Sequence, residues 1–168
     1  HWRVDGLNIE PRVLPPSGDP LRSRVLMPGY ADRLEVGHPV LPVRVLHFGL
    51  PPEGTLNVRI VSVTEETFTA ELLPYGDAPA DSMLPVIEIL PVVIRDGLRI
   101  GGIRLHPVRY DATRTELHWA RTLMLEIEIR GDPSGASVRE TAVLADLVNP
   151  SDAGGWGSVP ALSRKSVT

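Results

Sequence analysis

The dominant local signal in this chain is apolar residues at every second position, the period of a strand, which makes strands its main element from the outset. The clearest run is Thr122–Arg130, where Leu123, Leu125, Ile127 and Ile129 share one face and Met124, Glu126, Glu128 and Arg130 the other. Leu56, Val58 and Ile60 alternate with Asn57 and Arg59, and Val61 and Val63 then take the opposite parity, as a bulge near Ile60 allows. Phe68, Ala70 and Leu72 continue after Thr64–Glu66, and the two runs read together as a hairpin. Further strands are expected over Val4–Ile9, Val40–Phe48, Val86–Leu90, Leu98–Leu105 and Thr115–Ala120.

The punctuation agrees with this pattern. Seventeen prolines and 15 glycines in 168 residues leave little room for long helices. Pro39, Pro42, Pro51-Pro52, Pro74, Pro85, Pro91 and Pro107 are expected at strand edges or connections, because a central strand cannot spare the amide donor. Arg95-Asp96-Gly97-Leu98 carries an Asp-Gly pair between apolar runs and predicts a tight hairpin turn. Tyr110–Arg114 is a second polar turn, and the pair Gly101-Gly102 sits where the apolar phase slips between Ile100 and Ile103. The expected fold is all-β: an antiparallel, jelly-roll-like β-sandwich with one short C-terminal helix over Glu140–Val148, ended by Asn149-Pro150. Residues 1–150 form that domain, and Ser151–Thr168, rich in Ser, Gly and Pro, reads as an extended tail or linker.

Composition excludes several chemistries. Cysteine is absent, which removes thiol nucleophiles, disulfides, iron–sulfur clusters and thiolate zinc sites. The net charge is −4 and the basic residues do not cluster, so no nucleic-acid footprint is present. No run of about 18 apolar residues suggests a membrane-spanning helix. There is no G-x-S-x-G elbow, and Trp156-Gly157-Ser158, the nearest fragment, lies in the tail. His1, His38, His47, His106 and His118 are scattered without metal-ligand spacing, Glu126 and Glu128 sit on the outer face of a strand, and no phosphate loop is found. Arg130-Gly131-Asp132 matches an adhesion tripeptide, yet it also leaves a strand into Pro133-Ser134-Gly135, where turn chemistry favours Gly and Asp. The residues alone leave two classes open: a structural or adhesive module of a cell-surface protein, and an enzyme built from dispersed His and carboxylate groups.

The order of the punctuation is more distinctive than any one motif. Pro28-Gly29-Tyr30 precedes Val36-Gly37-His38-Pro39-Val40-Leu41-Pro42-Val43, then Phe48-Gly49-Leu50-Pro51-Pro52-Glu53-Gly54. Gly102–Tyr110, Thr115–Trp119 and the strand Leu123–Ile129 follow, and Val143–Pro150 with Trp156 behind it closes the series. This arrangement resembles the N-terminal propeptide domain of gingipain-type cysteine peptidases. The resemblance implies a non-catalytic, exported β-sandwich that helps a secreted peptidase fold and holds it latent by covering its cleft. It implies the cognate peptidase catalytic domain as partner and no cofactor or metal for this chain. An arginine-specific relative has an acidic primary pocket, which a rigid loop can block by presenting an arginine. Arg95, in the predicted hairpin turn, is the first candidate, with Arg99 and Arg130 behind it; a plain exposed turn arginine is the alternative. Arg164-Lys165, in the Ser-rich tail, suits a processing site.

Overall fold

A computed structural model describes residues 11–13, 24–76, 83–132, 147–149 and 153. Among them the strands are β1 (Arg12–Val13), β2 (Val25–Leu26), β3 (Ala31–Arg33), β4 (Leu41–Leu50), β5 (Thr55–Thr69), β6 (Ile87–Arg95), β7 (Leu98–Leu105), β8 (Val108–Asp111) and β9 (Glu116–Arg130). They form a small β1-β2 pair, a four-stranded sheet in the order β3-β4-β7-β6 and a three-stranded sheet in the order β5-β9-β8. The fold is all-β and sandwich-like, as the alternation requires.

Several expected elements changed form. The hairpin expected across Thr64–Glu66 does not exist, because Thr55–Thr69 is one 15-residue strand. The polar triplet contains no Gly, Asn or Pro to make a tight turn, and its carboxylates have partners elsewhere: Glu65 pairs with Arg109 of β8 and Glu66 with Arg121 of β9 at 2.7 Å. What reads as a turn is therefore the outer face of a strand. The same pairings give direction, since Arg59 bonds Glu126 while Thr67 approaches His118, so β5 and β9 run antiparallel. The two runs either side of Arg121 likewise merge into a single β9, whose Leu123, Leu125 and Ile127 are buried on the predicted face. Each such side chain contributes roughly 1.5–3 kcal/mol by leaving water.

Strand β6 runs on through Pro91 to Arg95, past the expected end at Leu90. The proline is accommodated because β6 is an edge of its sheet. Burial along β7 follows Leu98 and Ile100, then Ile103 and Leu105, so the phase changes at Gly101-Gly102 as the sequence indicated.

Val4–Ile9 lies outside the described residues, as do Trp2, Trp156 and most of Glu140–Val148. The described end of that expected helix is not helical: Leu147 forms a parallel β-bridge with His47, and the Val148 amide donates to the His47 carbonyl at 2.9 Å. Helical geometry is found instead at Ala153, whose amide bonds the Asn149 carbonyl at 3.1 Å. The Asn149 side chain, which local preference would use at a helix end, is bonded instead to Gly49. Ala153 is fully buried, and the rest of Ser151–Thr168, expected as a tail or linker, lies outside the described residues.

The chain divides into two compact units: His1–Val45, Arg59–Glu88 and Arg104–Glu126; and Leu46–Val58, Ile89–Ile103 and Ile127–Thr168. In the first, Val25, Leu41, Leu105, Val108, Leu117 and Leu125 are among the buried residues. In the second, Phe48, Leu50, Leu98, Ile103 and Ile127 are, and Leu147 and Ala153 cluster with Leu98 and Ile100.

Candidate partner-facing site

In the second unit the β6–β7 hairpin turns at Asp96 and Gly97, with φ of 52° and 79°. Two consecutive left-handed residues define the primed turn whose twist matches its flanking strands, and Asp-Gly is the pair that tolerates it. The turn presents Arg95 to solvent. Behind it, β6 exposes Ile89, Val92, Val93 and Ile94, the last at 62%. An edge strand bearing four exposed branched apolar residues beside an exposed arginine is an uncommon surface for a domain that meets only water.

Arg99 and Arg130 are placed differently. The Arg99 guanidinium donates to the Pro52 carbonyl, which anchors β7 to the turn Pro51–Gly54, itself closed by Gly54 N donating to Pro51 O at 2.9 Å. Arg130 is exposed and pairs with Glu128 at 2.9 Å, and that hydrogen bond, then each partner's opposite charge, holds the Arg130 pKa above its usual value and that of Glu128 below. Gly131 has φ 147°, and a Cβ there would lie 2.6 Å from Pro51 Cγ and 2.8 Å from Gly54 Cα. Packing therefore demands the central glycine of Arg130-Gly131-Asp132. Pro52, Glu53, Gly131 and Asp132 line a shallow cleft in this unit. Arg164 and Lys165 lie outside the described residues.

Two constellations had no signal in the sequence. Asn149, 1% exposed, brackets Gly49 of β4: the Gly49 amide donates to Asn149 Oδ1 at 2.9 Å, and Asn149 Nδ2 donates to the Gly49 carbonyl at 3.2 Å. The side-chain amide thus imitates a strand neighbour, and a Cβ at Gly49 would fall 2.4 Å from Ala153 Cβ. The second is in the first unit, where His106, 1% exposed, lies among Arg33, Arg104 and Glu88. Burial, then the Arg33 charge, lowers the His106 pKa to about 4 against the pull of Glu88. Desolvation tends to raise Glu88, but the hydrogen bond and charge of Arg104 and the charge of Arg33 outweigh it and leave that carboxyl lowered. Asparagine and histidine each have many uses, and only three-dimensional neighbours identify these. Among the described residues, no group of three or more His, Asp or Glu is arranged to hold a metal ion.

No protein-family model matches the chain, and no curated protein matches it in sequence. Solved structures resemble it in fold. One belongs to a study of the zymogenic latency of gingipain K from Porphyromonas gingivalis: TM-score 0.58, 19% identity, covering 76% of this chain and 86% of that one. Another is a complex of the pro- and mature domains of RgpB from the same organism: TM-score 0.63, 12% identity, covering 88% and 90%. Both matches take in most of each chain, so whole domains correspond. The β-sandwich is of the kind found in those gingipain structures, and the likeness is one of fold.

Proposed function

We propose that this chain is the non-catalytic prodomain of a secreted gingipain-like cysteine peptidase, a folding assistant and latency-conferring inhibitor of the catalytic domain made with it. The observation that carries this reading is the fold correspondence with a chain from the RgpB pro- and mature-domain complex over nearly its full length. The resemblance in order of turns and strands supports it, as does the apolar edge of β6 ending at exposed Arg95. The chain itself is no enzyme in this reading.

Inhibition rests on one side chain. Arg95 enters an acidic primary pocket from a turn whose two left-handed residues resist the extended geometry that cleavage needs. Arg99, spent on the Pro52 carbonyl, and Arg130, paired with Glu128, are the lesser candidates. Arg164-Lys165 is the proposed processing site, and the proposed location is outside the cell or on its surface.

The test is to mix the purified chain with its cognate mature peptidase and follow peptide hydrolysis. Inhibition that rises with chain concentration is expected, and Arg95→Ala should weaken it at least about tenfold, or ~1.4 kcal/mol. Unchanged hydrolysis refutes the prodomain reading and favours an adhesive module. Inhibition that survives Arg95→Ala removes only the assignment of the inserted arginine. Refolding the catalytic domain with and without the chain tests the assistant role through the yield of active enzyme.

A further inference from the structure

The two edges of the four-stranded sheet meet at His106. Arg33 comes from β3, Glu88 from β6, Arg104 from β7, and His106 directly follows β7, with its amide donating to the Val86 carbonyl at 2.8 Å. Arg33 Nη1 lies 2.8 Å from His106 Nε2 and 3.3 Å from Glu88 Oε2, while its Nη2 is 2.5 Å from Glu35 Oε2. Arg104 Nη1 holds the same Glu88 oxygen at 2.7 Å, and that oxygen is 3.6 Å from His106 Nε2. A guanidinium can only donate, so Nε2 must be the accepting nitrogen and the ring neutral. The ring proton is then on Nδ1, which is buried and has no hydrogen-bond partner among the described residues. Two guanidinium groups and two carboxylates surround the ring and balance only while it is uncharged.

We propose that His106 is an acid-sensitive latch: a proton taken up at Nε2 expels Arg33, exchanges it for Glu88 as the ring's partner, and releases β3 from the opposite edge of the sheet. The proton cannot be added while Arg33 donates to that lone pair, so uptake and release of the arginine are one event. The groups involved are Arg33 and Glu35 on and beside β3, Glu88 on β6 and Arg104 on β7. Nothing here depends on the prodomain reading; if that reading holds, acid near pH 4 opens the latch in the domain that confers latency.

The sign follows from the two states. The unfolded histidine titrates near its ordinary value of 6.5 and the folded one at about 4. The unfolded chain therefore binds the proton first, and stability is complete above about pH 6.5, falls as pH drops toward 4, and falls no further below. The difference corresponds to about 300-fold in the folding constant at its limit. Urea unfolding of the 168-residue chain at pH 7.5 and pH 4 tests this, with His106→Gln as the non-titrating comparison. The wild type should lose at least about 50-fold more than the glutamine variant. Equal losses overturn the latch. Should His106→Gln not fold, ring resonances of wild-type His106 decide: a neutral Nδ1–H ring down to about pH 5 is expected, and titration near 6.5 overturns the proposal. Arg33→Gln should move that titration upward, and an unmoved midpoint would count equally against it.

Discussion

Replacing Asn149 by alanine tests whether one side chain fastens the 147–153 segment to β4. The substitution removes Oδ1 from the Gly49 amide and Nδ2 from the Gly49 carbonyl, at a place where Asn149 is 1% exposed and Gly49 is buried. Each buried backbone group left without a partner costs about 1–3 kcal/mol. If water reaches one of the two, the loss is about 2 kcal/mol. With a urea slope of about 2 kcal/mol/M, the midpoint should fall by about 1 M, and the melting temperature by about 4–8 °C. Amide exchange should report the same event locally, with the Gly49 amide losing protection ahead of the amides of β9.

Asn149→Asp separates hydrogen bonding from packing, because the shape is retained while the donor is lost. The new carboxylate keeps an acceptor for Gly49 N–H but sets a second oxygen against the Gly49 carbonyl, in a buried place that disfavours charge. Its folded pKa is thus raised above the unfolded value. The variant's deficit relative to wild type should therefore be largest near pH 7 and shrink toward about pH 4, where the protonated acid can donate again. A loss under about 0.5 kcal/mol for Asn149→Ala, or a deficit for Asn149→Asp that does not change with pH, would refute the clamp.

Other outcomes can be checked by the same unfolding measurements. Gly97→Ala forces a Cβ into φ 79° and should cost about 1–2 kcal/mol, and it should weaken inhibition of the cognate peptidase if that turn presents Arg95. Glu65→Gln leaves Arg109, whose side chain is 11% exposed, without its ion partner, and should cost about 2 kcal/mol, whereas Glu66→Gln, facing the exposed Arg121, should cost under about 1 kcal/mol. Phe48→Ala empties a fully buried site and should cost about 3–5 kcal/mol in chemical denaturation.

What could be read in advance was whatever a short window decides. The Asp96-Gly97 turn was legible because its two φ values select those residue types locally, and the burial of Leu123, Leu125 and Ile127 because the pleat has period two. Errors arose where partners distant in sequence outweigh local preference. Thr64–Glu66 has the polarity of a turn, but Arg109 and Arg121, 44 and 55 residues away from Glu65 and Glu66, keep it extended. Asn149-Pro150 reads as a helix end, whereas Gly49, 100 residues earlier, takes up both polar atoms of the asparagine side chain. Along the chain His106 is one of five dispersed histidines; Arg33 lies 73 residues before it, and no spacing announces that meeting. The three arginines proposed for blocking sharpen the point. As sequence they are three equivalent cations near turns, whereas the fold spends Arg99 on a carbonyl and Arg130 on a carboxylate and leaves Arg95 exposed at the end of an apolar edge. A side chain already committed to its own domain must break that bond before it can enter a partner's pocket, and of the three Arg95 would enter one at the smallest such cost.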